Sequence, residues 1–210
     1  RTGAVSAVAT RALANPDAKV LAILGCGAQG HSHLNAMAQA LDLTEVRCWD
    51  AYAACGEKLA AAAQEKGLRG VACATAQEAV QGADVICTLT PSKEPILRSG
   101  WVKDGAHINA IGACAPTARE LDSDLMARSR VFCDNIESIL HESGDFLIPL
   151  QEGRYGKEHL LGTVGDVLLG SCPGRGSRQE ISIFKAVGMA VEDIACAIYL
   201  YEQALAAPSN

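Results

Sequence analysis

Apolar and polar positions along this chain repeat with two different periods. Val20-Leu21-Ala22-Ile23-Leu24 is an unbroken apolar run of strand length, as expected for a strand covered on both faces. Beyond it Leu34, Met37, Ala38 and Leu41 recur at helical spacing. Further strands are predicted over 46–50, 68–72, 84–90, 107–111 and 130–133. Helices are predicted over 1–14, 53–66, 76–81, 136–142 and 146–151. The first carries a stripe of Val5, Val8, Ala9 and Leu13 and stops at Asn15-Pro16-Asp17. Asp122 is placed to cap a short helix bearing Leu125 and Met126. After the turn-rich segment 171–177, Val191, Ile194, Ala195, Ile198, Tyr201 and Leu205 mark one face of a long final helix. Strands and helices in alternation, with short connections, predict an α/β fold with a doubly wound parallel sheet. That sheet is expected to occupy roughly residues 18–135, with the remainder packed on or beside it.

The link between the first two strands carries chemistry. It reads Gly25-Cys26-Gly27-Ala28-Gln29-Gly30, follows a strand, opens a helix, and is answered at the end of the second strand by Asp50. In such a fingerprint Gly25 permits the tight turn and Gly27 lets backbone approach a pyrophosphate. Gly30 lets helix and strand close together, and the free amides at the helix start suit phosphates. Dinucleotide binding is the expectation. In doubly wound folds the ligand lies beyond the carboxyl ends of the strands, here Gly25–Gly30, Asp50, Thr88-Leu89-Thr90 and 111–114. Asp50 can accept hydrogen bonds from a ribose hydroxyl and would repel a 2′-phosphate. Arg47, three residues earlier, points to the opposite strand face. NAD(H) is therefore preferred, with NADP(H) as the alternative.

Composition narrows the partners. The net charge of −6 comes without a basic block, which disfavours nucleic acid, and no apolar run reaches membrane-spanning length. Nine cysteines, an odd number without CxxC pairs, read as reduced thiols in a cytoplasmic protein, with Cys48, Cys87 and Cys133 in buried strands. His31 and His33 do not share a helix face and read as solvent-facing or capping residues rather than metal ligands; no metal site is predicted. His107 reads as a packed histidine, and Cys114 as a thiol lining the pocket. Glu192-Asp193 suit the start of the last helix.

Five ordered motifs carry a resemblance. They are Arg1–Ala7, Gly25–Gln29, Trp101–Gly112, Arg119-Glu120-Leu121-Asp122 and Phe184–Asp193, and together they resemble the ornithine cyclodeaminase/mu-crystallin family over residues 1 to about 202. The resemblance implies a nicotinamide-dependent enzyme of small amino or imino acids, nearest to the ketimine reductases. The expected activity is reduction of the C=N bond of a cyclic imino acid such as pyrroline- or piperideine-2-carboxylate. Ornithine cyclodeaminase or alanine dehydrogenase activity, and a thyroid-hormone-binding or structural role, are the alternatives. It also implies that Arg1 holds the substrate carboxylate and Thr2 contacts the cofactor. Cys26, Ala28 and Gln29 join the fingerprint glycines, and Thr88, Leu89, Thr90, Ile111, Ala113 and the segment from Phe184 to Gly188 line the nicotinamide end. Cys114 stands where the cyclodeaminases carry an aspartate, which disfavours ornithine cyclisation. Asp50-Ala51 replaces an Asn-Arg pair that serves a 2′-phosphate, which again favours NAD(H). The family's N-terminal dimerisation and substrate segment is expected to be missing, leaving the pocket incomplete. Residues 1–17 would link to that domain, 18–180 would form the Rossmann domain with appended helices, and 181–210 would return as a C-terminal helical extension. The full-length family is expected to form homodimers.

Overall fold

The computed structural model describes residues 1–206. Eight strands form one sheet: β1 (Val20–Leu24), β2 (Glu45–Trp49), β3 (Arg69–Ala72), β4 (Val85–Thr88), β5 (His107–Ala110), β6 (Arg130–Cys133), β7 (Leu160–Thr163) and β8 (Ser182–Lys185). Their order is β3-β2-β1-β4-β5-β8-β6-β7, and every pairing is parallel. The helices are α1 (Thr2–Leu13), α2 (Ala28–Ala40), α3 (Ala53–Glu65), α4 (Ala76–Val80), α5 (Ser123–Arg128), α6 (Ile136–Glu142), α7 (Gly144–Gln151), α8 (Val164–Leu169) and α9 (Ala190–Ala206).

The apolar strands explain the layering. Alternate residues of β1 face opposite ways. Leu21 and Ile23 pack with Leu34 and Met37 of α2 and Leu59 of α3. Ala22 and Leu24 pack with Ala79 and Val80 of α4 on the other face. Short polar side chains start several helices: Asp122 accepts from the Leu125 amide at 2.8 Å, as the sequence predicts, and Asn135 from Ser138 at 2.9 Å. None of the helices among the described residues is long and apolar enough to cross a membrane.

Three expectations are corrected. The sheet runs to residue 185, not 135, and β8 lies inside it, between β5 and β6. Residues 182–185, grouped with the final helix from sequence, are thus a central strand. Its four residues, Ser-Ile-Phe-Lys, begin and end on polar groups, and both its neighbours are distant in the chain. Val8 is exposed; α1 instead buries Gly3, Ser6, Ala7, Ala9, Thr10 and Leu13. Gly3 brings α1 against α2 so closely that a Cβ there would lie 2.7 Å from the Ser32 carbonyl oxygen. That contact also overturns the solvent-facing reading of His33. Its ring is fully buried, paired with Ser6 Oγ at 2.9 Å and the Gln29 carbonyl at 2.8 Å, and burial lowers its pKa. The long final helix is present as predicted, and the stripe of Val191, Ile194, Ile198, Tyr201 and Leu205 along it is exposed.

All nine cysteines are free thiols. Cys48, Cys87 and Cys133 are fully buried, and burial pushes the Cys87 and Cys133 thiols up to about 12. His107 packs as expected, with Nδ1 2.9 Å from Ser182 Oγ. Burial, with the Arg175 charge nearby, lowers its pKa to about 3.

Candidate active site

The sheet's topological switch falls between β1 and β4: β2 and β3 run outward on one side, and the chain then returns to β1's other edge. Connections diverging there open a crevice at the strand carboxyl ends. The Gly25–Gly30 turn forms its floor. Gly25 has φ +101°, and a Cβ on it would lie 2.8 Å from the Leu89 backbone. A Cβ on Gly30 would lie 2.7 Å from the Gly25 carbonyl oxygen, so α2 can rest on the turn only with glycine there. Gly27 behaves differently. It is the N-cap of α2, no side chain caps this helix end, and a Cβ would meet no protein atom within 4 Å. Bare amides and open space above them fit a pyrophosphate. Asp50 stands beside the turn, accepting from the Cys26 amide at 2.7 Å and the Tyr52 amide at 2.9 Å. Arg47 is engaged elsewhere, with Glu45 at 2.6 Å and the Gln81 carbonyl at 2.5 Å.

Two cavities share the crevice. One, of about 510 Å³, is lined by Gly25, Gly27, Trp49, Asp50, Tyr52 and Cys55 among others. The other, of about 370 Å³, is lined by Arg1, Thr2, Gln29, Ile111, Cys114 and Gly188 among others. Leu89, Thr90 and Pro91 border both, so the loop after β4 is the partition between an outer chamber beside Asp50 and an inner one beside Arg1.

A buried ionic network holds that partition. Glu120 Oε1 accepts from the Thr90 amide at 2.6 Å and its hydroxyl at 2.7 Å, while Oε2 accepts from the Gly112 amide at 2.9 Å. One carboxylate thus ties the loop after β4 to the loop after β5. Asp145 Oδ1 accepts from the amides of Glu120 and Leu121 at 2.8 and 3.0 Å. Lys185 Nζ lies 3.1 Å from Asp145 Oδ2 and donates to the Ala113 carbonyl at 2.8 Å. All three charged residues are fully buried. Burial, and then the Asp145 charge, raise the Glu120 pKa. None of the three was singled out as a site residue from sequence. The signal present was an Arg-Glu-Leu-Asp motif and a lysine closing an otherwise buried strand.

At the inner chamber's mouth Arg1 Nη1 meets Asp193 Oδ1 at 2.7 Å. Asp134 accepts from the Val187 and Gly188 amides at 3.0 and 2.7 Å and fixes the turn into α9. Arg1, Thr2, Gln29, Leu89, Thr90, Ile111 and Gly188 therefore gather at one chamber, and Gly25, Gly27 and Asp50 at the other. Cys26 is buried beneath the turn and contributes only its amide. Ala28 is exposed at the start of α2, and Gly30 is buried under it. Four expected lining residues, Thr88, Ala113, Phe184 and Lys185, sit behind the wall instead. Thr88 is fully buried in β4, its hydroxyl without a partner among the described residues. Ala113 is buried with its carbonyl committed to Lys185. Phe184 and Lys185 are fully buried within β8, Lys185 turned to Asp145.

A family model, described as ornithine cyclodeaminase/mu-crystallin family, matches residues 1–207. The chain belongs to the ornithine cyclodeaminase/mu-crystallin family. Among its relatives, the mouse ketimine reductase mu-crystallin is 42% identical over 202 residues, covering 96% of this chain and 61% of the relative. Alanine dehydrogenase of Archaeoglobus fulgidus is 35% identical over 205 residues, covering 98% and 63%. The Thermococcus litoralis Δ1-pyrroline-2-carboxylate reductase, solved with NADH and L-proline, superposes with a TM-score of 0.94 at 35% identity, covering 97% of this chain and 64% of that one. The chain thus spans about three-fifths of the length of these ornithine cyclodeaminase/mu-crystallin family members.

Proposed function

We propose that this chain forms the dinucleotide-binding part of an NAD(H)-dependent reductase of the C=N bond of a small imino acid. Pyrroline-2-carboxylate and piperideine-2-carboxylate are the reference substrates. The observation that carries the reading is a single crevice with an uncapped glycine turn and Asp50 in one chamber and Arg1 in the next. Asp50, beside the turn, takes the adenosine ribose, and its carboxylate, with Arg47 committed to Glu45 and the Gln81 carbonyl, favours NADH over NADPH. Gly25, Gly27 and the amides of Ala28 and Gln29 cradle the pyrophosphate, with Cys26 and Gly30 shaping the turn from beneath. Leu89, Thr90, Ile111 and Gly188 border the nicotinamide ring, and Thr2 touches the cofactor from α1. Bound NADH supplies the hydride. Arg1 grips the substrate carboxylate through its guanidinium fork, a charge-assisted contact, and Asp193 holds that fork in place. Fixed geometry converts an encounter into a directed transfer. Residues 1–17 link this unit to a substrate and dimerisation domain, to which the helix within 181–210 returns. The working form is a cytoplasmic homodimer.

The test follows cofactor absorbance when the full-length protein meets Δ1-pyrroline-2-carboxylate and NADH or NADPH. The expected result is turnover, faster with NADH, with kcat/KM lowered roughly 10- to 100-fold by Arg1→Ala, the worth of a hydrogen bond to a charged group. Tight iodothyronine binding without turnover would overturn the reading in favour of a binding protein. Turnover only with pyruvate and ammonia would make it an alanine dehydrogenase.

A further inference from the structure

The inner chamber contains a carboxyl group that neither the cofactor cradle nor the Arg1 clamp uses. Glu192, in the first turn of α9, lines this chamber with Arg1, Gln29 and Cys114. Its neighbour Asp193 turns to Arg1, but Glu192 makes no ion pair among the described residues. Its Oε1 is shielded from solvent and has no hydrogen-bond partner among the described residues. A shielded acceptor without a donor is costly, and the group can be relieved by carrying a proton or by receiving an N–H from a ligand. The surroundings favour uptake of a proton: burial first, then Asp134 and Asp193, raise the Glu192 pKa against the opposing charge of Arg1. The wall facing it is built by the loop after β5 and by residues 186–188.

We infer that Glu192 is the subsite for the substrate's nitrogen, which holds the C=N nitrogen and its proton while Arg1 holds the carboxylate. This rests on the imino-acid reading above and deepens it, because it defines the ligand class as an acid whose nitrogen sits on the carbon next to the carboxylate. A cation at that nitrogen and an anion one carbon away match Glu192 and Arg1 on the wall of one small chamber. The step balances without a further reactant. Glu192 gives its proton to the imine nitrogen, the reduced nicotinamide gives a hydride to the imine carbon, and the C=N π pair stays on nitrogen. The product is a neutral amine, and solvent returns one proton to Glu192. A neutral imine is a poor hydride acceptor, so the group that protonates it sets the rate.

A comparison of two ligands of similar shape tests this by binding alone. L-Proline carries the ring nitrogen; cyclopentanecarboxylate has the same carboxylate on a ring of carbon. In the full-length protein loaded with NADH, calorimetry should find proline bound about tenfold or more tightly than the carbocycle, the worth of one charge-assisted hydrogen bond. Glu192→Gln, nearly the same size, should erase that preference while leaving the affinity for NADH and for cyclopentanecarboxylate unchanged. It should also lower kcat for pyrroline-2-carboxylate at least tenfold. Equal binding of the two ligands by the unaltered protein would overturn the subsite, as would an unchanged preference in Glu192→Gln. Absence of imine turnover in the unaltered protein would instead strike the parent reading, so the two failures are separable.

Discussion

Around β1 and β2 the sheet is packed by small apolar side chains and by backbone that only glycine permits. Around β5, β8 and β6 it encloses Glu120, Asp145, Lys185 and His107. Both regions border the crevice, yet they tolerate different insults. The first is held by shape. A missing methyl group there costs packing, and an added one costs a clash. The second is held by paired charge in a medium where an unpaired charge is severely penalised. The crevice therefore has a floor set by sterics and a partition set by electrostatics. The partition is the part that must fix the spacing of Thr90 and Gly112.

The sharpest way to break this comparison is Lys185→Met. It leaves Asp145 and Glu120 buried together without their cation, and is expected to cost about 3–5 kcal/mol in a denaturant titration. Pairing it with Asp145→Asn should recover a large part of that loss. If the single and double variants proved equally stable, charge pairing would not be what holds this half.

That network also marks the limit of what could be read in the chain. β1, α2, β2 and their glycines were legible because each carried a local signal: an unbroken apolar run, a fingerprint, a carboxylate at a fixed distance. The final bounds differed by a residue at most, Asp50 standing just beyond β2. β6 and α6 were likewise legible from local pattern. β7, α8 and β8 were not: β7 is interrupted by Gly162, α8 has only six residues, and β8 begins and ends on polar groups, which leaves little periodicity to detect. Lys185 and Asp145 are 40 residues apart and Asp145 and Glu120 25 apart, so no spacing rule joins them. In the crevice, the residues named from backbone chemistry landed where expected. Thr88, Ala113, Phe184 and Lys185 did not, since a sequence shows which segment reaches the site but not which way each of its side chains points.

Gly25→Ala probes the steric half. With φ at +101° and the Leu89 backbone 2.8 Å from the new Cβ, the strain should cost up to about 3 kcal/mol. Calorimetry should show weaker NADH binding as well, because the turn must shift. A fully stable variant with unchanged affinity would mean the turn has slack.

The smallest expected effect is a pH dependence. His107 has a folded pKa of about 3, below its ordinary 6.5, so below pH 6.5 the unfolded chain takes up a proton that the native ring refuses. Its contribution is whole above pH 6.5 and shrinks as pH falls toward 3. The loss is roughly 2 kcal/mol by pH 5. His107→Gln, which does not titrate, should flatten that limb of a stability-versus-pH curve. An identical limb in both proteins would assign acid sensitivity elsewhere.

The position of β8 also bears on how the molecule comes together. β6 and β7 can pair with each other early, but they have no edge to join until residues 182–185 have left the ribosome, since β8 is the strand between them and β5. During synthesis the chain thus carries two open sheet edges, on β5 and on β6, waiting for one short insert. Exposed edges of this kind are where chains pair wrongly with one another. Building the middle of a sheet last is therefore expected to make refolding slow and sensitive to protein concentration.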